Sequence, residues 1–184
     1  MDIETLIKLA GKIKDKSLRE KTIEILKDIR LTHPELSKLE REDPEKVKTP
    51  FGVNNVFVYR DLITHTVAVT EGCLNLAEVI AEKYKIEIKT DYLIAGALLH
   101  DIMKVYEFKD GKQTDILLDH SSLALSELYK RDFPVEVLHM VVSHLGTPSN
   151  PPKTIEALIL HYIDTLFALI EFSNQQQKFL LGEL

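Results

Sequence analysis

The residues with most to offer chemically are His100 and Asp101, which end the apolar run Leu93 to Leu99 and are followed closely by Lys104. An apolar run of this kind is ordinary for a core helix; a histidine and an aspartate side by side at its end are not. A neutral imidazole beside a carboxylate can chelate a metal when other parts of the chain bring further nitrogen and oxygen ligands. His65 lies before the pair, and His120, His144 and Asp164 lie after it. Taken singly, a histidine on an apolar helix is a core residue, so the case rests on where each one stands.

Those positions depend on the helices around them. Asp61 can cap a helix from Leu62 to about Tyr84, with His65 in its first turn. Thr90 or Asp91 can cap the next, which ends near Lys104. Asp119 can cap a third that begins at His120 and runs to Lys130. Pro134 starts a fourth, and Gly146 stops it just after His144. In an antiparallel bundle, successive starts and stops meet at one end. Asp164 is the exception. It lies within the stripe Ile155, Leu158, Ile159, Tyr162, Ile163, Leu166 and Ile170 of a last helix, expected from about Lys153 to Phe172 or on to Leu181. A carboxylate there is expensive to bury without a partner such as a cation. His139 and His161 serve as controls. Five residues apart on a helix, His139 and His144 point about 140° away from each other, so they do not share a metal. His161 is read as a core histidine or one that orients a ligand.

The remainder of the chain is read as helical too. Met1 to Gly11 has apolar residues at helical spacing, and Ser17 to Glu20 reads as a capping box for a second helix. Glu35 to Pro50 reads as a charged, loosely helical face, Phe51 to Asn55 as a loop, and Asp110-Gly111 as a turn. Val56 to Tyr59 is of uncertain type, and no convincing strand pattern competes. The expected fold class is all-α, a helical bundle in one domain over residues 1–184, with 1–60 an N-terminal helical extension and 61–184 the core.

Composition narrows the function. The 29 acidic residues outnumber the 23 basic ones, so no general basic footprint for duplex nucleic acid exists. The single cysteine, Cys73, excludes an internal disulfide and reads as a small core residue. The first residues are no signal peptide, and no apolar run reaches the roughly 18 residues that span a bilayer. A cytoplasmic location without membrane association is expected.

The order His65, His100-Asp101, Asp164 resembles the HD superfamily of metal-dependent phosphohydrolases. The segments LITHTVAV, LIAGALLHDIMKVYEF, LLDHSSLALSEL, VVSHLGTPSNPPKTIEAL and LHYIDTLFA are similar to the HD domain of bacterial 3′–5′ exoribonucleases that join it to an OB fold. The resemblance implies an HD-domain bundle holding one or two divalent transition-metal ions. His65, His100 and Asp164 would hold the first, His120 and His144 the second, with Asp101 and a bridging hydroxide shared about 3.5–4 Å metal to metal. Nitrogen and oxygen ligation without thiolate suits Mn²⁺, Fe, Co²⁺ or Ni²⁺. Asp101 and Lys104 would be the catalytic residues, Lys104 steadying the phosphate and Lys153 a second substrate contact. The implied activity is a phosphatase or phosphodiesterase acting on a small phosphorylated substrate, a nucleotide or short oligonucleotide. The alternative is a metal- and nucleotide-binding sensor without turnover.

Three departures from the pattern stand out. Met103 takes the place of the family's glycine after the ligand pair, and Ser143-His144-Leu145-Gly146 has one histidine fewer than the exoribonuclease-like motif. The first 60 residues are too short and too helical for an OB fold, so long nucleic acid is not an expected partner. Oligomeric state is not fixed by the sequence.

Overall fold

A computed structural model describes residues 1–54 and 56–181. Among the described residues, eight α-helices carry the fold: α1 (Ile3–Ala10), α2 (Lys16–Lys27), α3 (Leu62–Tyr84), α4 (Thr90–Leu99), α5 (Lys104–Glu107), α6 (His120–Lys130), α7 (Val135–Ser143) and α8 (Ile155–Leu181). The helical fold class therefore holds. None of these helices is long and apolar enough to cross a membrane.

The centre of the bundle is α4. Every residue from Leu93 to Leu99 is buried, because a helix that is apolar on all sides is stable only when surrounded. It lies against α3, α7 and α8, with α1 and α2 closing the remaining side. Gly96 lets α7 come close, since a Cβ there would sit 2.8 Å from the Met140 methyl.

The cap residues set the ends of the helices. Asp61 accepts from the Thr64 N–H at 2.8 Å and starts α3, and Asp119 accepts from the Ser122 N–H at 2.7 Å and starts α6. Thr154 accepts from the Ala157 N–H at 3.1 Å at the start of α8. Gly146 takes a left-handed φ of +62°, and the His161 ring packs where its side chain would stand.

Five expectations need correction. The first is the cap of α4, where Lys89 holds the cap position and neither Thr90 nor Asp91 supplies a side-chain capping bond. α2 is capped by Asp15, which accepts from the Leu18 N–H at 2.7 Å, and not by Ser17. The distant Asp91 carboxylate decides the matter by accepting from the Lys14 and Asp15 N–H groups at 2.9 and 2.8 Å. Residues 35–50 contain a single 3₁₀ turn, Leu36–Lys38, before a strand begins. The helix that was to end near Lys104 stops at Leu99, and α5 is a separate turn.

The strandless reading fails as well. β1 (Lys48–Val53) and β2 (Val56–Asp61) form an antiparallel hairpin in which Thr49 faces Arg60 and Phe51 faces Val58. Of the predicted loop at residues 51–55, residues 51–53 are strand, Asn54 is in the turn, and Asn55 lies outside the described residues. β2 does alternate, with Val58 and Arg60 buried and Phe57 and Tyr59 exposed. The period is concealed because a charged residue stands in the buried set. A second hairpin, β3 (Phe108–Lys109) with β4 (Lys112–Gln113), turns through Asp110 and Gly111, both at positive φ, as a two-residue hairpin loop requires.

Candidate metal centre

Helix ends deliver the side chains. His65 stands in the first turn of α3, His100 directly after α4, His120 at the first residue of α6, and His144 directly after α7. All four are buried, as is Asp101, which follows the end of α4. Asp164 projects from the middle of α8 toward them and is half-buried.

Two groups of ligand atoms result. Those of His65, His100 and Asp101 all lie within 4.8 Å of one another, and so do those of Asp101, His120 and His144. Asp101 belongs to both. Its Oδ1 is 3.3 Å from His120 Nε2 and 3.5 Å from His144 Nε2, while its Oδ2 is 3.5 Å from His100 Nε2. Asp164 joins the first group from the side, with Oδ1 2.8 Å from His65 Nε2 and 3.9 Å from His100 Nε2.

Each of the four cluster histidines turns Nε2 inward, because its Nδ1 is anchored outside the cluster. His100 Nδ1 donates to the Ala97 carbonyl and His144 Nδ1 to the Val141 carbonyl, both at 2.7 Å. His65 Nδ1 donates to Glu171 at 3.1 Å and His120 Nδ1 to Glu107 at 2.6 Å. Each group thus has one imidazole tied to a helix-end carbonyl and one tied to a glutamate. Such anchors fix the tautomer and raise the basicity of the inward nitrogen. Arg60 Nη1 lies 3.3 and 3.4 Å from the two His65 ring nitrogens and 3.8 Å from Glu171 Oε2. Lying equally far from both nitrogens, the guanidinium rests against the ring.

The electrostatics agree with this geometry. Burial pushes His100 down to about 4, so it is neutral at pH 7 with a free lone pair. Burial also pushes His65 and His120 down, but the carboxylates outweigh it: Asp164 and Glu171 raise His65, and Asp101 and Glu107 raise His120. Asp101 is buried, which would raise it, yet Lys104 and His100 hold it well below the carboxylate range. Against the same burial penalty, His65 and then His100 keep Asp164 low. His100 Nε2 and Asp101 Oδ1 are buried with no hydrogen-bond partner. An orphaned buried polar atom costs about 1–3 kcal/mol. These two stand in different groups, His100 Nε2 in the first and Asp101 Oδ1 facing His120 and His144 in the second, so a divalent cation in each group would remove the cost. Four imidazole nitrogens and two carboxylates with no thiolate therefore fit a divalent metal.

Lys104 lies with Asp101, its Nζ 2.7 Å from Oδ2. Met103 sits at φ −79° and ψ 0°, a negative φ that makes no demand for glycine. His139 turns away: its Nε2 accepts from the Lys153 N–H at 2.9 Å. Lys153 itself is exposed there, and no hydrogen bond among the described residues ties it to the cluster. His161 donates from Nδ1 to the His144 carbonyl at 2.7 Å, so it supports the backbone that carries that histidine. Cys73 is buried in the core, which pushes its thiol up.

Glu107, Glu171 and Arg60 were not singled out for this site from the sequence. Glu107 carried a faint signal, since it lies one short turn beyond Lys104 on the run from the His100-Asp101 pair. Glu171 stands seven residues after Asp164, two helical turns along one face of α8. Nothing local marked Arg60.

Comparisons with known proteins show the family. The HD domain family matches residues 62–169. The chain is 47% identical over 170 residues to the dihydroneopterin 2′,3′-cyclic phosphate phosphodiesterase of Methanocaldococcus jannaschii, covering 88% of this chain and 67% of that protein. It is 34% and 37% identical over 119 residues to the 3′–5′ exoribonucleases YhaM of Bacillus licheniformis and Bacillus subtilis. These matches cover 55% of this chain and only 38% of either exoribonuclease. No solved structure matches.

Proposed function

The chain belongs to the HD-domain family and is a metal-dependent phosphohydrolase, and we propose that it is a phosphodiesterase that opens a small cyclic phosphate ester on a nucleotide-like substrate. The observation that carries this reading is the pair of ligand groups meeting at Asp101, with Lys104 on the other side of the same carboxylate. The 2′,3′-cyclic substrate in the name of the archaeal relative directs the choice toward a diester.

We assign His65, His100, Asp101 and Asp164 to one divalent ion, and Asp101, His120 and His144 to a second. Mn²⁺, Fe, Co²⁺ and Ni²⁺ suit that donor set. Bound there, such ions supply Lewis acidity toward phosphoryl oxygens and a water acidified enough to be a nucleophile near neutral pH.

The remaining work falls to the chain's own groups. Asp101 is kept ionised by Lys104, so its carboxylate would need to lose no proton before serving either group. His100 is neutral, and its lone pair needs no deprotonation before it ligates. Lys104 holds the Asp101 rotamer with one donor and offers its remaining donors to a phosphoryl oxygen, where positive charge stabilises the transition state. Water adds at phosphorus and gives up a proton, one P–O bond of the ring breaks, and the departing oxygen takes up a proton, so that the net addition of one water leaves a phosphate monoester. Lys153, at the entry to α8, contacts only a substrate that extends past the cluster. Net negative charge argues against gripping long strands.

The test is a turnover panel with Mn²⁺ present: 2′,3′-cyclic nucleotides, mononucleotides, dinucleotides and a long single-stranded RNA at physiological salt. Cyclic diesters should turn over fastest. Rapid loss of the long strand with no activity on the small substrates contradicts the proposal.

A further inference from the structure

One face of the molecule, on the far side of α8 from the metal centre, is apolar where it should be polar. Between residues 157 and 170 the only Lys, Arg, Asp or Glu is Asp164, and that points into the cluster. Leu158, Tyr162, Leu166 and Leu169 follow the 3–4 residue spacing of one helix face, yet all are exposed. Beside this ridge runs a groove between α3 and α8, floored by Leu76, Ile80, Ile155 and Ile159, with a volume of about 340 Å³. Val79 and Tyr84 extend the apolar surface along α3. Glu78, Glu82 and Lys83 on α3 supply charge at its edge.

We propose that this face is where a second copy of the chain docks, around a two-fold axis. Two observations select that occupant. The first is area: a folded monomer of 21.0 kDa is expected to expose about 9,000 Å², whereas this chain exposes 10214 Å². The difference, on the order of 1,200 Å², belongs to the whole chain, and this face, with Leu158, Tyr162, Leu166, Leu169, Val79 and Tyr84 exposed, is one part of it; a standard interface takes roughly 800 Å² from each partner. The second is shape. Ridge and groove lie side by side on one face, so a two-fold rotation lays the α8 ridge of each copy along the groove of the other, the self-complementary arrangement an isologous interface needs. The face offers no charge for an oppositely charged partner to read. Because α8 turns its other side to His65 and His100, the dimer face does not include the histidine cluster.

The experiment is sedimentation equilibrium on the full chain across a range of concentrations, with Leu166→Glu and Tyr162→Lys run alongside. The wild type should sediment at twice the chain mass. Each variant should fall to the single mass, with helical circular dichroism and metal uptake unchanged. Tyr162 is 63% exposed, so its replacement leaves no cavity and serves if Leu166→Glu fails to fold. A wild type of single mass at every concentration, including one that gains mass only with another protein, overturns the proposal. So does a dimer that survives Tyr162→Lys.

Discussion

Lys104 reaches Asp101 Oδ2 at 2.7 Å and leaves Asp101 Oδ1, buried and without a hydrogen bond, facing His120 and His144. One carboxylate is thereby divided: one oxygen is held by an ammonium, and the other waits for a cation.

Removing that ammonium should separate metal binding from chemistry. Lys104→Met is expected to keep the metal content within twofold of wild type while kcat falls on the order of 10²–10³, the usual cost of losing one transition-state donor. Steady-state kinetics on a cyclic nucleotide, with metal content from elemental analysis, measures both. Loss of metal and activity together would make Lys104 a scaffold for Asp101 and nothing more.

The two glutamates should each govern one ion. Glu107→Gln weakens the anchor on His120, and Glu171→Gln the anchor on His65. Each is expected to lower the affinity of its own ion by about 10–100-fold and to leave the other ion bound. Calorimetric titration of the metal-free protein resolves the two. Equal weakening of both ions by both variants would show that the glutamates act on the fold as a whole.

Histidines inside and outside the cluster should part company. His65→Ala removes one ion, and His120→Ala or His144→Ala mainly the other, whereas Asp101→Ala abolishes both along with activity. His139→Ala should leave kcat near wild type and cost about 1 kcal/mol of stability, since only the bond from the Lys153 N–H is lost. Thermal unfolding and turnover of the five variants check this, and a dead His139→Ala would mean the wrong histidine face had been chosen.

Above about pH 6.5, the ordinary histidine value, pH should act with opposite signs on the stability of the metal-free chain and on its affinity for metal. His100, lowered to about 4 in the fold, makes the metal-free chain more stable as pH rises toward the unfolded value of about 6.5. His65 and His120 are raised in the fold, so their contribution is complete below about 6.5 and is lost above it, as pH passes their folded values. The stability of the metal-free chain should therefore peak near pH 6.5, roughly the ordinary histidine value. Metal uptake displaces the protons on His65 and His120, so metal affinity should climb across that same range. Denaturant midpoints and metal titrations at several pH values decide it; metal affinity that is flat with pH would show that the two histidines are not ligands.

Legibility followed the reach of each signal. Helix ends were readable because Asp61, Asp119, Pro134 and Gly146 act within one turn of themselves, and the histidines stand at those ends. The Asp15 cap was missed because Ser17 is as good a local candidate and the deciding contact comes from Asp91, far along the chain. The β1–β2 hairpin was missed because its inward period includes Arg60, buried against His65. Glu107 and Glu171 look like solvated helix residues until tertiary packing brings an imidazole to each.

The most direct measurement is activity against bound metal. Metal-free protein is titrated with Mn²⁺ while cyclic nucleotide hydrolysis and bound ion are followed in the same samples. Turnover should be absent without metal, stay low through the first equivalent, and reach its plateau as the second ion per chain binds. Hydrolysis that is already full in the metal-free protein, or none with two ions bound, would contradict a paired metal centre built on Asp101.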